Sequence, residues 1–499
     1  MNLLHFGRIL TRTLPGLAAA LLAGCAARGT MPRLAPEEAT LAASLDSTLA
    51  NPAFARSSWG VVVESADDGR VLYRHDAGKL LVPASSAKLL TAAAALARLG
   101  ADFRWTTTVL ARGKRRGDTL AGDLLVAGHG DPTLAVDAAG DSLDPLRSLR
   151  PWVDSLTAHG VRVVRGRVVG DGSAFTDPPL GRGWAWDDLA ADYAAPVGAL
   201  QFNESTAWIE VTPAPVAGAP ARFLIQPFDA PLRVYGTVIT APADSDVSHL
   251  TWSRAPFGDS VTVGGRLSAG RGPERLPVSM PDPVRYFETA LTEALTDGGI
   301  GVLGAMGADT TVTDTLFTWR SPPLSAVLPL LLKPSQNQIA ETLLLTLGLE
   351  AKGAGSVDSG RAAIRDALTQ LGVAPDSYVL ADGSGLSRYD DVAPEAIAAV
   401  LEAMYHRPDF QVFYDALPVA GVDGTLATRL LGTAAAGNAR AKTGSMTGVR
   451  SLSGYVRTAG GETLVFVIVA NGLTAPRRVV EAAQDGIVTR LAGLTGGSR

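Results

Sequence analysis

The chain predicts an α/β fold interrupted by a β-rich insertion of one or two small domains, and three observations carry that expectation. Strand-like segments stand towards both ends of the chain. From about residue 102 to 313, short β-type runs alternate with Gly, Pro and Asp turns. After Ser321-Pro322-Pro323 the apolar residues recur at helical spacing. Strands at both ends with helices between them describe one α/β sheet closed by the two termini. The expected division is a signal peptide at 1–24, a tether at 25–40, one split domain formed by 41–101 and 314–499, and the insertion at 102–313. A length of 499 residues agrees with several domains of ~100–200 residues each.

Composition narrows the function classes. Hydrophobic residues make up 46% and charged residues 19%, which excludes a largely disordered chain. Lys and Arg number 44 against 49 Asp and Glu, a net charge of −5. No basic excess is present to condense on phosphate, so nucleic acid is not an expected partner.

The first segment reads as a targeting signal. Arg8 and Arg12 accompany an apolar stretch, 14–24, that is shorter than the ~20 residues a membrane-spanning helix needs. It ends in Leu22-Ala23-Gly24-Cys25, the pattern of a bacterial lipobox. Small residues there admit a signal peptidase, and the Cys25 thiol takes the lipid. Cys25 is the only cysteine, so the rest of the chain has neither disulfides nor a thiol nucleophile. The expectation is an exported lipoprotein of the bacterial envelope, attached to the membrane through its N-terminal lipid. Ala26, in place of a retention-type Asp, favours the outer membrane facing the periplasm.

The remaining elements follow in order. Residues 59–64 read as a strand, 66–69 as a turn and 71–73 as its partner strand. Pro83 and Ser85 open an alanine-rich helix that Gly100 closes. Runs such as 161–169, 223–225 and 261–267 read as strands of the insertion. Helices are expected at 324–332, 338–347, 360–371 and 394–405, and strands at 439–446, 448–456 and 463–470. An amphipathic helix over 475–491 ends the chain.

Three motifs carry chemistry. In Ser85-x-x-Lys88, residues three apart share one face of a helix. A serine hydroxyl is a poor nucleophile until a base takes its proton, and a lysine can do so where burial or nearby positive charge lowers its pKa. The chain has only six lysines, at 79, 88, 114, 333, 352 and 442, so a lysine in a motif is informative. Ser335-Gln336-Asn337 is the only Ser-x-Asn. Its hydroxyl can relay a proton to a leaving amine, and its amide can hold a substrate carbonyl and Lys88. Lys442-Thr443-Gly444 lies just inside an expected strand, where an edge can take an extended peptide. Lys442 and Thr443 can bind a terminal carboxylate, and Gly444 leaves room for substrate against the backbone. Chance would supply a Lys-Thr-Gly only roughly 0.05 times in a chain this poor in lysine.

This set resembles that of penicillin-binding proteins and class A β-lactamases. Over most of residues 57–475 the chain further resembles the class C low-molecular-mass penicillin-binding proteins, of the penicillin-binding protein four type. These are D-alanyl-D-alanine carboxypeptidases and endopeptidases. The strings that carry the likeness include Pro83-Ala84-Ser85-Ser86-Ala87-Lys88, Gly183-Trp184-Ala185-Trp186-Asp187-Asp188 and Tyr193-Ala194-Ala195-Pro196. Others are Ala340-Glu341, Asp382-Gly383-Ser384-Gly385-Leu386-Ser387-Arg388 and Gly421-Val422-Asp423-Gly424-Thr425-Leu426. One departure is Gln336, where that family usually has Asp; its side chain is expected to point away from substrate. Ser335 lies 250 residues after Ser85, far beyond the β-lactamase interval.

The resemblance implies a penicillin-recognising serine hydrolase fold acting on peptidoglycan stem peptides and acylated by β-lactams. Ser85 would be the nucleophile and Lys88 its base, with the oxyanion between the backbone N–H groups of Ser85 and Ser445. Ser335 would pass a proton to the leaving D-alanine, whose carboxylate Lys442 and Thr443 hold. Asp188, Arg388 and Met446 would wall a pocket for the third residue of the stem peptide, with Trp186 and Tyr193 as aromatic sides. No cofactor is implied, and the six histidines show no metal spacing. The string Gly299-x-Gly301-x-x-Gly304 matches a dinucleotide fingerprint in letters but follows a helix-like run, so a turn is expected. No Gly-x-Ser-x-Gly elbow occurs, which argues against an α/β-hydrolase. The competing readings are a β-lactamase or esterase using the same Ser/Lys pair, and a slow envelope protein that senses β-lactams or binds peptidoglycan.

Overall fold

The two ends of the chain meet in one five-stranded antiparallel sheet. Its order is Arg440–Met446, Val449–Arg457, Thr463–Asn471, Ser58–Ser65 and Val71–His75. The structure is a computed structural model that describes residues 36–135, 144–227, 229–256, 258–304 and 311–496. The expected signal segment and Cys25 lie outside the described residues. The central strand Thr463–Asn471 is a near-continuous apolar run because both of its faces are covered. Val465, Val467 and Val469 pack with the helices Ala87–Leu99, Leu324–Leu332, Asn337–Lys352, Val357–Gln370 and Pro394–Tyr405. Phe466 and Ile468 face the terminal helices Pro36–Leu49 and Arg477–Ala492. The first of these helices begins inside the stretch read as tether, because Leu41 and Leu45, four apart, are buried against the C-terminal helix layer.

Among the described residues, the middle of the chain forms three further sheets. The largest runs Gly301–Val302, Val163–Val164, Thr119–Gly128, Thr106–Arg116 and Val312–Arg320, with Val168–Asp171 also on Thr119–Gly128. Two three-stranded sheets follow, Glu274–Ser279 with Thr206–Thr212 and Arg222–Gln226, and His249–Arg254 with Ser260–Ser268 and Arg233–Ala241. One buried cluster, drawn from Val109 to Leu316, fills this part. The expected run 161–169 is split in two where Arg167 N bonds Asp123 Oδ1 at 2.9 Å in place of a ladder partner. Val312–Arg320 pairs with Thr106–Arg116 and so crosses the expected boundary at 313/314. Helix Arg150–Ala158 was not expected in this β-rich stretch; Pro151 opens it, and Trp152, Val153 and Leu156 bury one face. After helix Pro283–Asp297, Gly299 lies in a turn, Gly301 opens a two-residue strand and Gly304 follows that strand.

Candidate active site

The alanine-rich helix Ala87–Leu99 is buried along nearly its whole length, and a single 3-10 turn, Ala84–Ser86, leads into it. Ala84 has a left-handed φ of 47°. Gly385 stands so close that a Cβ there would lie 2.0 Å from Ala84 O. The turn sets Ser85 half-buried at the helix start and Lys88, one turn on, fully buried. Lys88 Nζ lies 2.9 Å from Ser85 Oγ, 2.5 Å from Asn337 Oδ1 and 2.7 Å from Ser384 O. The last two oxygens can only accept. They take two hydrogens of the amine and leave its remaining tetrahedral direction for Ser85 Oγ. A neutral amine held this way aims its lone pair at the serine hydroxyl.

Ser335 sits in a bend before helix Asn337–Lys352, with a left-handed φ of 69°. Gln336 N bonds Leu331 O at 2.9 Å, and Gln336 Oε1 caps the helix by accepting from Gln338 N at 2.8 Å. The bend sends Ser335 Oγ to Lys442 Nζ, 2.7 Å away, and the Asn337 side chain to Lys88. Asn337 Nδ2 donates to Tyr193 O at 2.7 Å. Gln336 turns towards the insertion and donates to the Glu204 carboxylate.

Lys442-Thr443-Gly444 lies on the edge strand Arg440–Met446. Lys442 is fully buried and also donates to Thr443 O at 2.7 Å, while Thr443 Oγ1 and Thr425 Oγ1 lie 2.7 Å apart. A Cβ on Gly444 would stand 2.1 Å from Ser451 Oγ, 2.7 Å from Pro83 O and 3.0 Å from Ser85 N. The space that glycine leaves open is thus taken by the serine turn itself. Ser451 Oγ reaches both Pro83 O and Ser86 Oγ at 2.7 Å and fastens that turn to the sheet.

The electrostatics are set by burial. Burial lowers Lys88 to about 7, against the upward pull of Asp382, Glu341 and Asp390. Burial and the charge of Lys88 hold Lys442 well below the usual lysine range. The three carboxylates are themselves buried, 5% exposed at Glu341, 1% at Asp382 and 0% at Asp390. Glu341 accepts from Gly383 N at 3.0 Å and Ser384 N at 2.7 Å. Asp382 accepts from Gly385 N at 2.7 Å and Ser387 N at 2.6 Å, and Asp390 from Ala381 N at 2.6 Å. Together they shape the loop that offers the Ser384 carbonyl to Lys88. Burial and the charge of Asp382 push Glu341 up to about 8 and raise Asp390 well above the usual carboxylate range. Sequence reasoning assigned none of these three a role. The Asp-Gly-Ser-Gly string, a turn signature, was the signal at hand for Asp382.

The sequence profile of the D-Ala-D-Ala carboxypeptidase 3 (S13) family matches residues 41–494. The chain belongs to that family. Among curated relatives, it is 36% identical to a D-alanyl-D-alanine carboxypeptidase of Actinomadura sp. (strain R39), over 98% of this chain and 89% of the relative. Among solved structures, it is similar to penicillin binding protein 4 (dacB) from Haemophilus influenzae, with a TM-score of 0.76 and 27% identity over 91% of this chain and 99% of that one. The same protein complexed with a β-lactam matches with a TM-score of 0.72 and 25% identity over 91% and 99%. The S13 chain described here is therefore a D-Ala-D-Ala carboxypeptidase with a penicillin-recognising serine hydrolase fold.

The residues expected to wall a side-chain pocket in this S13 enzyme fall into two groups. The loop from Gly183 to Tyr193 is held at both ends of its length, by Trp184 Nε1 on Asp382 Oδ2 at 3.0 Å and by Tyr193 O on Asn337. It carries Trp186, 75% exposed, and Asp188, whose carboxylate accepts from the Tyr193 hydroxyl at 2.7 Å. Burial, and then that bond, raise the Tyr193 phenol. Arg388 is exposed and donates to Thr447 O, next to Met446, at 3.4 Å from each terminal nitrogen. No ion pair joins Arg388 to Asp188 among the described residues. Ser445 follows Gly444 on the edge strand and is exposed.

Proposed function

We propose that this carboxypeptidase works by acyl transfer through Ser85 on peptidoglycan stem peptides. The observation that carries the reading is the setting of Lys88, whose amine touches Ser85 Oγ while Asn337 Oδ1 and Ser384 O occupy its other directions. Ser85 Oγ attacks the carbonyl carbon of the D-Ala-D-Ala bond and gives its proton to Lys88. The oxyanion is met by the backbone N–H groups of Ser85 and Ser445. The C–N bond then breaks, and the proton leaves with the D-alanine amine by way of Ser335. Lys442 and Thr443 hold the departing carboxylate. Lys88, neutral again, activates the water that releases the acyl-enzyme. The same steps open a cross-link when the leaving amine belongs to a neighbouring stem peptide, the endopeptidase reaction. A β-lactam acylates the same serine but keeps its leaving group tethered; the β-lactam complex of the Haemophilus relative supports this.

The test is labelling with a tagged penicillin. One covalent adduct on Ser85, absent from Ser85→Ala, is expected, together with D-alanine release from purified muropeptides by mass spectrometry. An adduct that persists in Ser85→Ala overturns the nucleophile.

We further propose that Asp188, Arg388 and Met446, with Trp186 and Tyr193, receive the side chain of the third stem-peptide residue. The tie between the Gly183–Tyr193 loop and Asn337 supports this placement. The division into a split hydrolase domain and a β-rich insertion is supported by the separate buried cluster of the middle sheets, and that cluster takes in Leu316, so the insertion runs on to Arg320 and not only to 313. The N-terminal segment is proposed to direct export to the periplasm, with lipid on Cys25 anchoring the enzyme to the outer membrane. Cys25→Ser should then release the protein into the soluble fraction or leave it unprocessed. An unaltered protein that is already soluble and starts elsewhere overturns the lipoprotein reading.

A further inference from the structure

The turn Asn203–Ser205 in the insertion places three consecutive non-glycine residues in the left-handed region, at φ 50°, 54° and 52°. Each such residue is strained, and even single ones are uncommon in L-residues. The surrounding insertion over-determines the turn. Asn203 N bonds Leu134 O at 2.8 Å, Asn203 Nδ2 bonds Thr206 O at 2.6 Å, and Met280 N bonds Ser205 O at 2.7 Å. Phe202, fully buried, stacks edge-on against Tyr286 with ring centroids 5.5 Å apart. What this conformation delivers is the Glu204 carboxylate, which accepts from Gln336 Nε2. Gln336 is the middle residue of Ser335-Gln336-Asn337, and its other amide atom already caps the following helix through Gln338 N. Its side chain is therefore pinned at both ends, between the helix start and the insertion.

The residues on either side are the ones that hold the two buried lysines. Ser335, itself left-handed, meets Lys442 at 2.7 Å, and Asn337 meets Lys88 at 2.5 Å. A bend of that kind keeps its shape only where its neighbours enforce it, and from the insertion Glu204 is such a neighbour. Helix Asn337–Lys352 also receives a polar contact from the same stretch, Gln201 Nε2 on Thr342 Oγ1 at 3.0 Å. We propose that Glu204 is a positioning residue: by clamping the Gln336 amide, the insertion keeps Ser335 Oγ and Asn337 Oδ1 on their lysines. The proposal rests on the Ser85 acyl-transfer reading and extends it, since it gives the insertion a part in the rate of acylation.

The experiment measures the acylation rate by benzylpenicillin, with the adduct mapped by mass spectrometry, for the full chain and for Glu204→Ala, Glu204→Gln, Gln336→Ala and the Glu204→Ala/Gln336→Ala double variant. Glu204→Ala is expected to slow acylation roughly tenfold, as loss of one positioning hydrogen bond does. The adduct stays on Ser85, and the loss appears in the rate at saturation rather than in half-saturating concentration. Glu204→Gln keeps an acceptor oxygen and is expected to recover most of the rate. The double variant should be no slower than the slower single one, because both break the same clamp. A wild-type rate in Glu204→Ala, no recovery in Glu204→Gln, or losses that multiply in the double variant overturns the proposal. If Glu204→Ala fails to fold, the Glu204→Gln and Gln336→Ala rates decide it in the same way. An adduct that survives Ser85→Ala would instead strike the underlying reading, so the two failures are distinguishable.

Discussion

Gly444 lies against the backbone of Ser85: a Cβ on it would meet Ser85 N at 3.0 Å. Behind Ser85 stands Pro83 O, at 2.7 Å from the same point. A methyl group can be accommodated only if the edge strand and the serine turn move apart. Gly444→Ala is therefore expected to cost about 1–3 kcal/mol in stability, the range for overpacking. Misplacing Ser85 from the strand is expected to slow acylation by roughly 100-fold. Denaturation and labelled-penicillin kinetics on the same sample check both. Acylation within a few-fold of wild type would show that the strand and turn need not be in contact.

As the proposed base, Lys88 must be neutral to accept the Ser85 proton, and burial brings it to about 7. Below that value the protonated fraction grows, so acylation is expected to fall roughly tenfold per pH unit and to level off above it. Stopped-flow acylation by benzylpenicillin between pH 5.5 and 9 measures the limb. A flat profile across that range removes Lys88 as the titrating base.

The same lowering has a signature in stability. Between about 7 and 10.5 the unfolded chain keeps a proton on Lys88 that the folded chain has lost. Stability from this group therefore rises with pH across that window, by at most about 1.4 kcal/mol per unit. Glu341, raised to about 8, acts in the opposite sense below that pH. The comparison is thus best made from pH 8 to 9.5, by urea unfolding of wild type and Lys88→Met. The variant should lack this part of the slope. Identical slopes would mean that Lys88 keeps its proton in the folded state.

Arg388 is exposed, and its bonds to Thr447 O, at 3.4 Å, are long enough to be exchanged for a ligand. A stem peptide whose third residue ends in a carboxylate matches its planar fork. Arg388→Ala is expected to lower kcat/KM for diaminopimelate peptides by roughly 1.5–3 kcal/mol and to leave acylation by benzylpenicillin unchanged. Equal losses for the two ligands would make Arg388 a structural residue.

Much of the fold was legible because its signals are local. Pro394 and the apolar period after it mark helix Pro394–Tyr405, and the run Leu464–Ala470 announces a strand covered on both faces. The three motifs were legible for the same reason, each being confined to four residues or fewer. The carboxylates around Ser384 were not, because Glu341 reaches Gly383 from a helix 42 residues earlier. Glu204 was hidden more deeply: a left-handed turn of Asn, Glu and Ser carries no glycine to betray it, and only the packing of the insertion dictates it. Helix Arg150–Ala158 was too short for its period to stand out against the strands around it.

The fastening of Ser86 to Ser451 spans 365 residues of chain. Its consequence is temporal. A ribosome that has made the turn with Ser85 and the helix with Lys88 has not made the site around them, since the strands carrying Lys442 and Ser451 follow only after the whole intervening chain. Until then strand Ser58–Ser65 has only Val71–His75 beside it, and the serine turn lacks the strand that fastens it. The growing chain is thus without its assembled site, and a product cut short before strand Arg440–Met446 would leave Ser85 on a turn that the sheet does not fasten.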